Sequence, residues 1–361
     1  MKRTTAALLT LFAVAAVAVA AAVFFDRRQT ETLADAPKEQ GDFHFALMGD
    51  VPYLPEQEPR MEALVAEINA DSEVAFTIHD GDIKGGGQPC DDSVYVREAE
   101  RFSTFENALI YTPGDNEWTD CHRASNSGFD PLERLAFLRR TFFSDPSRSL
   151  GRRPLALEFQ SAAYPENARW EFGGVVFATV HVVGSNNNRP SSSSRSGNEA
   201  EFQARSAAGI EWLRSTFDRA NALGSAGVLL VMQANIIEAD VFEPSGFADL
   251  VAALRTEIED FGKPVVLVHG DTHFFRVDEP LLGRPPRLEN LTRVETFGHP
   301  DVNWVRATID LDDEEVFSFQ PRYPDASTPA PTSLSAGVPA ATGAEVTTSS
   351  WTSSHPFLVR L

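Results

Sequence analysis

Four apolar runs of this chain stop at a glycine and are followed at once by an aspartate: ALMGD at Asp50, FTIHDGD at Asp82, YTPGD at Asp115 and VLVHGD at Asp271. One Gly-Asp pair is ordinary turn chemistry, since both residue types serve turns. Four of them, each at the end of an apolar run, suggest a shared location. If the runs are strands of an open α/β sheet, their carboxyl ends border one crevice, which is where such sheets bind ligands. Four carboxylates gathered there cannot all stay ionised without a compensating cation, and neutralising them by protonation takes pKa shifts of several units. A bound divalent metal resolves this. Two metals sharing one carboxylate can orient water and stabilise a leaving oxygen, as phosphate-ester hydrolysis requires.

The elements that must position these aspartates are legible from hydrophobic period. Strands are expected at Phe43 to Met48, Val74 to Ile78, Ala108 to Thr112, Val175 to Val183, Val228 to Met232 and Val265 to Val268. Helices are expected at Pro59 to Asn69, Ser93 to Phe105, Pro131 to Phe142, Glu199 to Leu223 and Phe247 to Phe261. Short β-rich runs alternating with longer helical ones indicate an α/β fold. Val305 to Asp310 and Val316 to Phe319 follow each other with no helix between, so the body should end antiparallel. GSNNNRPSSSSRSGN, from Gly184 to Asn198, reads as a long polar loop, and no solenoid-type repeat is present.

Composition sets the limits. The 361 residues carry a formal net charge of -21, with 42% hydrophobic and 23% charged residues, which is globular rather than disordered. Such an acidic balance excludes a nucleic-acid partner, whose affinity rests on Lys and Arg displacing counterions. Residues 1–25 read as a signal peptide or an N-terminal membrane anchor, with Lys2 and Arg3 ahead of an apolar run. A linker follows over 26–40, then a catalytic-type domain over 41–320. Residues 321–361, rich in Ser, Thr, Pro and Ala, are expected to be a disordered tail. The chain is therefore expected to be exported, and no protein partner is implied.

The blocks resemble the calcineurin-like metallophosphoesterase family, whose motifs run Asp-x-His, Gly-Asp, Gly-Asn-His-(Glu/Asp), a later His, and Gly-His-x-His. The matching stretches are Gly49-Asp50-Val51-Pro52, Gly81-Asp82, Gly114-Asp115-Asn116-Glu117, Val231-Met232-Gln233 and Gly270-Asp271-Thr272-His273. The resemblance implies a four-layer αββα sandwich of two mixed sheets flanked by helices. It implies Asp82 as a ligand bridging two divalent ions, with Asp50 and His273 on one metal. Asp115, Asp271 and Gln233 would join Asp82 on the other. It also implies hydrolysis of a small phosphorylated substrate by a metal-bound hydroxide.

Several positions depart from that pattern. Pro52 stands at the first His, Asp115 at the ligand Asn, Asn116 at the His that assists the leaving group, Gln233 at the later His and Asp271 at the first His of the last motif. Four carboxylates around two divalent ions leave a shell of charge about zero, where the family's two would leave about +2. Phosphate would then need other cations, and Lys84 and Arg123, on the loops after Asp82 and Asp115, are the candidates. An oxygen-rich shell favours Mn or Mg, with Fe, Zn or Ca compatible. Asn116 cannot deliver a proton, so His122 is the nearest candidate acid.

His79 and His269 precede their corners, where strand alternation aims them away from the aspartates. His181 ends a strand before the polar loop and either faces the crevice or is a bonded core residue. His44, His299 and His355 have no partner pattern. Trp118 either packs or flanks substrate. Cys90 and Cys121 follow the second and third corners, and in an exported chain they are expected to form a disulfide pinning those loops together. Two rival readings stand beside hydrolysis by metal. One is a non-catalytic metal- or ligand-binding protein on the same fold. The other is a haloacid-dehalogenase-type phosphatase using Asp80 and Asp82 as its Asp-x-Asp pair.

Overall fold

Residue alternation along the first strand already separates two environments. In β1 (Phe43–Met48), Phe45 and Leu47 belong to one buried apolar cluster, while Ala46 and Met48 belong to another. A strand whose two faces both enter a core lies inside a layered fold, and its sequence reads as a continuous apolar run. The computed structural model describes residues 42–192, 196–238 and 244–325. The signal or anchor segment, the linker and the tail beyond Asp325 lie outside the described residues.

The first sheet runs β13-β12-β1-β2-β3-β4, and the second runs β10-β11-β9-β8-β7-β6-β5. In the first, β1, β2 (Val74–His79) and β3 (Ala108–Tyr111) are mutually parallel. β4 (Leu150–Gly151), β12 (Trp304–Ile309) and β13 (Phe317–Arg322) add antiparallel pairs. In the second, β7 (Val175–Thr179), β8 (Val228–Val231), β9 (Val265–His269) and β11 (Leu291–Glu295) are parallel. β5 (Glu158–Ser161), β6 (Tyr164–Phe172) and β10 (Arg276–Asp278) flank them antiparallel. Both sheets are thus mixed.

Between the sheets Phe45, Phe76 and Ile110 pack against Phe177, Leu229 and Val266. Phe45 meets Phe177 edge to face at 5.3 Å. The outer face of the first sheet is covered by α1 (Glu58–Ala70), α2 (Asp92–Phe102) and α3 (Pro131–Phe142), through Leu64, Ile68, Phe102 and Leu138. α4 (Glu199–Leu223) and α5 (Ala248–Phe261) cover the second, through Trp212, Leu213, Leu254 and Ile258. This is the expected four-layer αββα sandwich. α3 starts where Asp130 accepts from the backbone of Leu132 and Glu133, with Pro131 at the first helical position. No described helix is long and apolar enough to cross a membrane.

Three features depart from the sequence expectation. The β5–β6 hairpin and β11 were not expected, because their buried positions are polar. Glu166, Asn167 and Arg169 of β6 and Arg293 and Glu295 of β11 are all buried, and each finds a charged or polar partner. The strand expected through Val183 stops at Thr179, and β13 carries pairing to Arg322. The polar stretch after Val183 is not a featureless loop. Ser185, Asn186, Asn187 and Asn188 hold φ of 48°, 58°, 54° and 60°, a run of left-handed residues that L-residues rarely form in succession.

Cys90 and Cys121 are joined as expected, with Cα atoms 5.7 Å apart and both side chains buried. The bond ties the segment after β2 to the segment after β3. Replacing both cysteines by serine is expected to lower unfolding stability by about 2–4 kcal/mol, read from urea denaturation. A change within error would mean that packing alone holds the two loops.

Candidate functional site

Asp50, Asp82 and Asp115 follow β1, β2 and β3 of the first sheet, and Asp271 follows β9 of the second. Gln233 follows β8, between them. The corners do meet, and their backbones are bent to do so: Asp50, Asp82, Asp271 and His273 have φ of 54°, 55°, 75° and 67°. Non-glycine residues at positive φ cost on the order of 1–3 kcal/mol each and concentrate at functional sites. Gly114 shows how close the approach is, since a Cβ there would lie 2.0 Å from Asp82 Oδ1.

Asp82 sits at the centre. Its Oδ2 accepts from Asn116 Nδ2 at 2.7 Å, from the Tyr53 hydroxyl at 3.2 Å and from Gln233 Nε2 at 3.2 Å. Its Oδ1 accepts from the backbone N–H of Asn116 at 3.1 Å. On one side the Tyr53 hydroxyl also lies 3.0 Å from Asp50 Oδ1 and 3.3 Å from His273 Nε2. On the other, Gln233 Nε2 is 3.2 Å from Asp115 Oδ1 and 3.4 Å from Asp271 Oδ1. The amide is fixed in that sense, because its Oε1 accepts from Gly184 N at 2.7 Å and the reverse orientation would set two donors face to face. His273 Nδ1 lies 2.8 Å from the His299 carbonyl, and its Nε2 is 3.3 Å from Asp50 Oδ1. A ring held at one nitrogen by a carbonyl, with the other aimed at carboxylates, is the arrangement of a metal-ligating histidine.

A second ring of groups surrounds this centre. Ser185 Oγ lies 2.7 Å from Asp115 Oδ2 and 2.8 Å from Asp120 Oδ1. One hydroxyl has one proton to donate, so one of the two acids must supply the other. Burial and the neighbouring Asp115 push the Asp120 carboxyl up to about 7, and burial raises Asp115 as well. Burial and Asp115 likewise push Asp271 up to about 7, and burial with Asp115 and Glu117 raises Asp82 well above the carboxylate range. Glu117 Oε1 clamps two corners by accepting from Asp82 N at 3.1 Å and Gly114 N at 2.6 Å. The left-handed turn carrying Ser185 is held by Arg205, which is buried. Its Nη1 donates to the His181 carbonyl at 2.9 Å and to Asn187 Oδ1 at 2.5 Å.

The expected cluster of Asp50, Asp82, Asp115, Gln233, Asp271, His273 and Asn116 is therefore brought together. Lys84 is buried rather than open to substrate, its Nζ donating to the Gly85 carbonyl, and burial lowers its pKa. Arg123 stays 45% exposed at the rim, paired with Asp120 at 2.7 Å. His122 is exposed, and its one hydrogen bond, at 2.7 Å, is to the Thr119 carbonyl. No bond links it to the cluster among the described residues. His181 is bonded to Glu166 at 2.7 Å and packs on Trp118, itself a core residue, so neither faces the crevice as substrate contact. Asp80 is buried with Oδ2 bonded to Thr296 at 2.7 Å, an enclosed position that does not suit a nucleophile. Sequence reasoning missed Tyr53, Asp120, Ser185 and the carbonyl of His299. Only Tyr53, three residues after Asp50, carried a usable signal.

The donor set fits a hard cation in kind: carboxylate oxygens, a phenol oxygen and one imidazole nitrogen. Two buried carboxylate atoms, Asp80 Oδ1 and Glu117 Oε2, have no hydrogen-bond partner, a sign of uncompensated negative charge. In spacing the set is closed. The Tyr53 hydroxyl and the Gln233 amide stand between the carboxylates, and among the described residues no three His, Cys, Asp or Glu side chains lie at distances that would hold a metal ion. A cation would have to take the Tyr53 oxygen as a ligand or move it aside.

No protein-family model and no curated protein matches the chain. Solved structures similar in outline include PhoD, at 10% identity and TM-score 0.48, where the match covers 76% of this chain and 65% of that one. A purple acid phosphatase from yellow lupin seeds is similar at 13% identity and TM-score 0.43, over 83% of this chain and 58% of that one. A dimetal phosphatase from Danio rerio is similar at 10% identity and TM-score 0.45, over 78% and 96%. At such values the likeness adds nothing to what the strand order already states.

The raised acids have a measurable consequence. A carboxyl whose folded pKa exceeds its unfolded value near 4 adds stability that is complete below that value and is lost as pH rises through the folded one. For Asp120 and Asp271 that window runs from about 4 to about 7. With chelator present, stability from urea midpoints is expected to fall by on the order of 2–4 kcal/mol between pH 4.5 and pH 8. A rise over that interval would contradict the assignment.

Proposed function

We propose that this chain is an exported phosphoester hydrolase that works with bound divalent cations, Mn or Mg before Fe, Zn or Ca. The observation that carries the reading is the convergence of Asp50, Asp82, Asp115 and Asp271 around a histidine, a tyrosine and an amide at the strand ends, with Lys84, Arg123 and His273 as the cations among the described residues to offset them. Asp50, Asp82, His273 and the Tyr53 oxygen would hold one cation, and Asp82, Asp115 and Asp271 a second; Gln233, expected as a ligand, turns its NH2 rather than its oxygen to these carboxylates and offers the metal no donor. Such ions, when bound, activate water and neutralise charge on the phosphoryl oxygens. Among the chain's own groups, Arg123 at the rim offers a guanidinium to a phosphate oxygen, and the Asn116 amide can hold an oxygen but donates no proton that leaves. Substrates whose leaving group needs no acid, such as aryl phosphates, suit this set best. Export is supported by the N-terminal apolar segment and by the disulfide.

A second reading, binding without turnover, is favoured by one observation: Gln233 and Tyr53 already satisfy the central carboxylates with uncharged donors. Hydrolysis of p-nitrophenyl phosphate and bis(p-nitrophenyl) phosphate with Mn, Mg, Zn or Ca, beside Asp82→Ala and Asp115→Ala, separates the two. Hydrolysis is expected with Mn or Mg, and each variant should lose at least about 100-fold in kcat/KM. Phosphate ester or metal binding with no turnover would sustain the second reading.

A further inference from the structure

Away from the carboxylate cluster, a cavity of about 920 Å³ opens between α5, β10 and the chain over 279–287. Its apolar wall is made by Ile236, Phe247, Val251, Leu281 and Leu282. Its polar wall holds Arg189, Arg255, Arg284, Arg287 and Arg293 with Asp278 and Glu279; Arg189, Arg255 and Arg293 are paired with Glu199, Glu259 and Asp278, which leaves Arg284 and Arg287 as the cations without an ion pair among the described residues. In a chain of net charge -21, two guanidiniums without an ion pair beside one apolar recess give an anion a local attraction.

The arginines divide by what they already do. Arg255 Nη1 donates to the carbonyls of Leu282 at 3.1 Å and Arg284 at 2.8 Å, and Nη2 to that of Pro286 at 2.9 Å, which fixes the turn forming one wall. Arg293 holds Asp278 through both carboxylate oxygens, removing that acid's charge from the cavity. Arg284 and Arg287 are exposed and make no side-chain hydrogen bond or ion pair with any described residue. Arg255 is itself only 4% exposed, yet its Nε has no acceptor. That Nε is enclosed by protein, so Arg255 shapes the wall rather than meeting a ligand.

We propose that this cavity is a binding site for an amphipathic anion, an apolar chain or ring carrying a phosphate, sulfonate or carboxylate. The apolar body would lie on Val251, Phe247 and Leu282, and the anionic group would face Arg284 and Arg287. A cavity of this size with an apolar lining and a few placed polar groups has the make-up of a small-molecule site. The site is distinct from the carboxylate cluster, although Ile236 stands three residues beyond Gln233, and it does not depend on hydrolysis.

Calorimetric titration of the purified chain with decyl phosphate, below its micelle concentration, tests this beside decanol and decyltrimethylammonium. One-to-one binding is expected, at least about tenfold weaker for decanol and absent for the cation. The double variant Arg284→Ala/Arg287→Ala, on exposed side chains that the fold does not use, should weaken decyl phosphate by about tenfold or more. Val251→Trp should fill the cavity and abolish binding, with its melting curve read alongside. Asp82→Ala should bind as the parent does. The proposal is overturned if decyl phosphate does not bind, if decanol binds equally well, if the arginine variant binds unchanged, or if Asp82→Ala abolishes binding.

Discussion

The structure depends on how one crevice tolerates buried negative charge. Asp50, Asp80, Asp82, Asp115, Glu117 and Asp120 are all buried, and isolated ionised carboxylates in such surroundings are expensive unless paired or protonated. The cations at hand are few: Lys84, whose own ammonium is disfavoured by burial, the half-exposed Arg123 and His273. What remains is done by neutral donors. Tyr53, Asn116 and Gln233 converge on one oxygen of Asp82, Ser185 spans Asp115 and Asp120, and Thr296 meets Asp80. Burial and mutual repulsion then hold several of the acids above their ordinary range. A cation entering the cluster would convert that strain into ligation, which is why proton and metal should compete for the same oxygens.

The scaffold around the cluster is correspondingly rigid. Four of the central residues sit at positive φ, and beside them the left-handed run from Ser185 to Asn188 is pinned by the Arg205 guanidinium and by Asn186, whose Oδ1 accepts from Gly246 at 2.7 Å. The disulfide ties the second and third corners. The Ser185 turn sets its hydroxyl on Asp115, and the corner that carries Asn116 sets its amide on Asp82. The parallel strands within the two mixed sheets supply the common end at which these corners meet.

The layers were legible because parallel strands buried on both faces read as continuous apolar runs, as in VAFTIH, Val74 to His79, and in Val265 to His269. The Gly-Asp corners were legible because a repeated pair at strand ends is a pattern no single turn explains. The β5–β6 hairpin escaped because Glu166, Asn167 and Arg169 are buried in pairs that only tertiary contact reveals. The left-handed turn escaped because its Ser-Asn composition is also that of a loop. Tyr53 and Asp120 escaped because their importance lies in which distant oxygens they reach. His122 is near the corners in sequence only, and the 3-10 turn over Thr119–His122 directs it to a carbonyl of its own segment.

The central claim is that the acid cluster is a cation site centred on Asp82. Equilibrium dialysis against Mn2+ at pH 7.5, with elemental analysis of the retained metal, tests it most directly when the parent chain is compared with Asp82→Asn. The account predicts saturable retention by the parent and its loss in the variant. No retained metal in the parent, or equal retention in both, would contradict it.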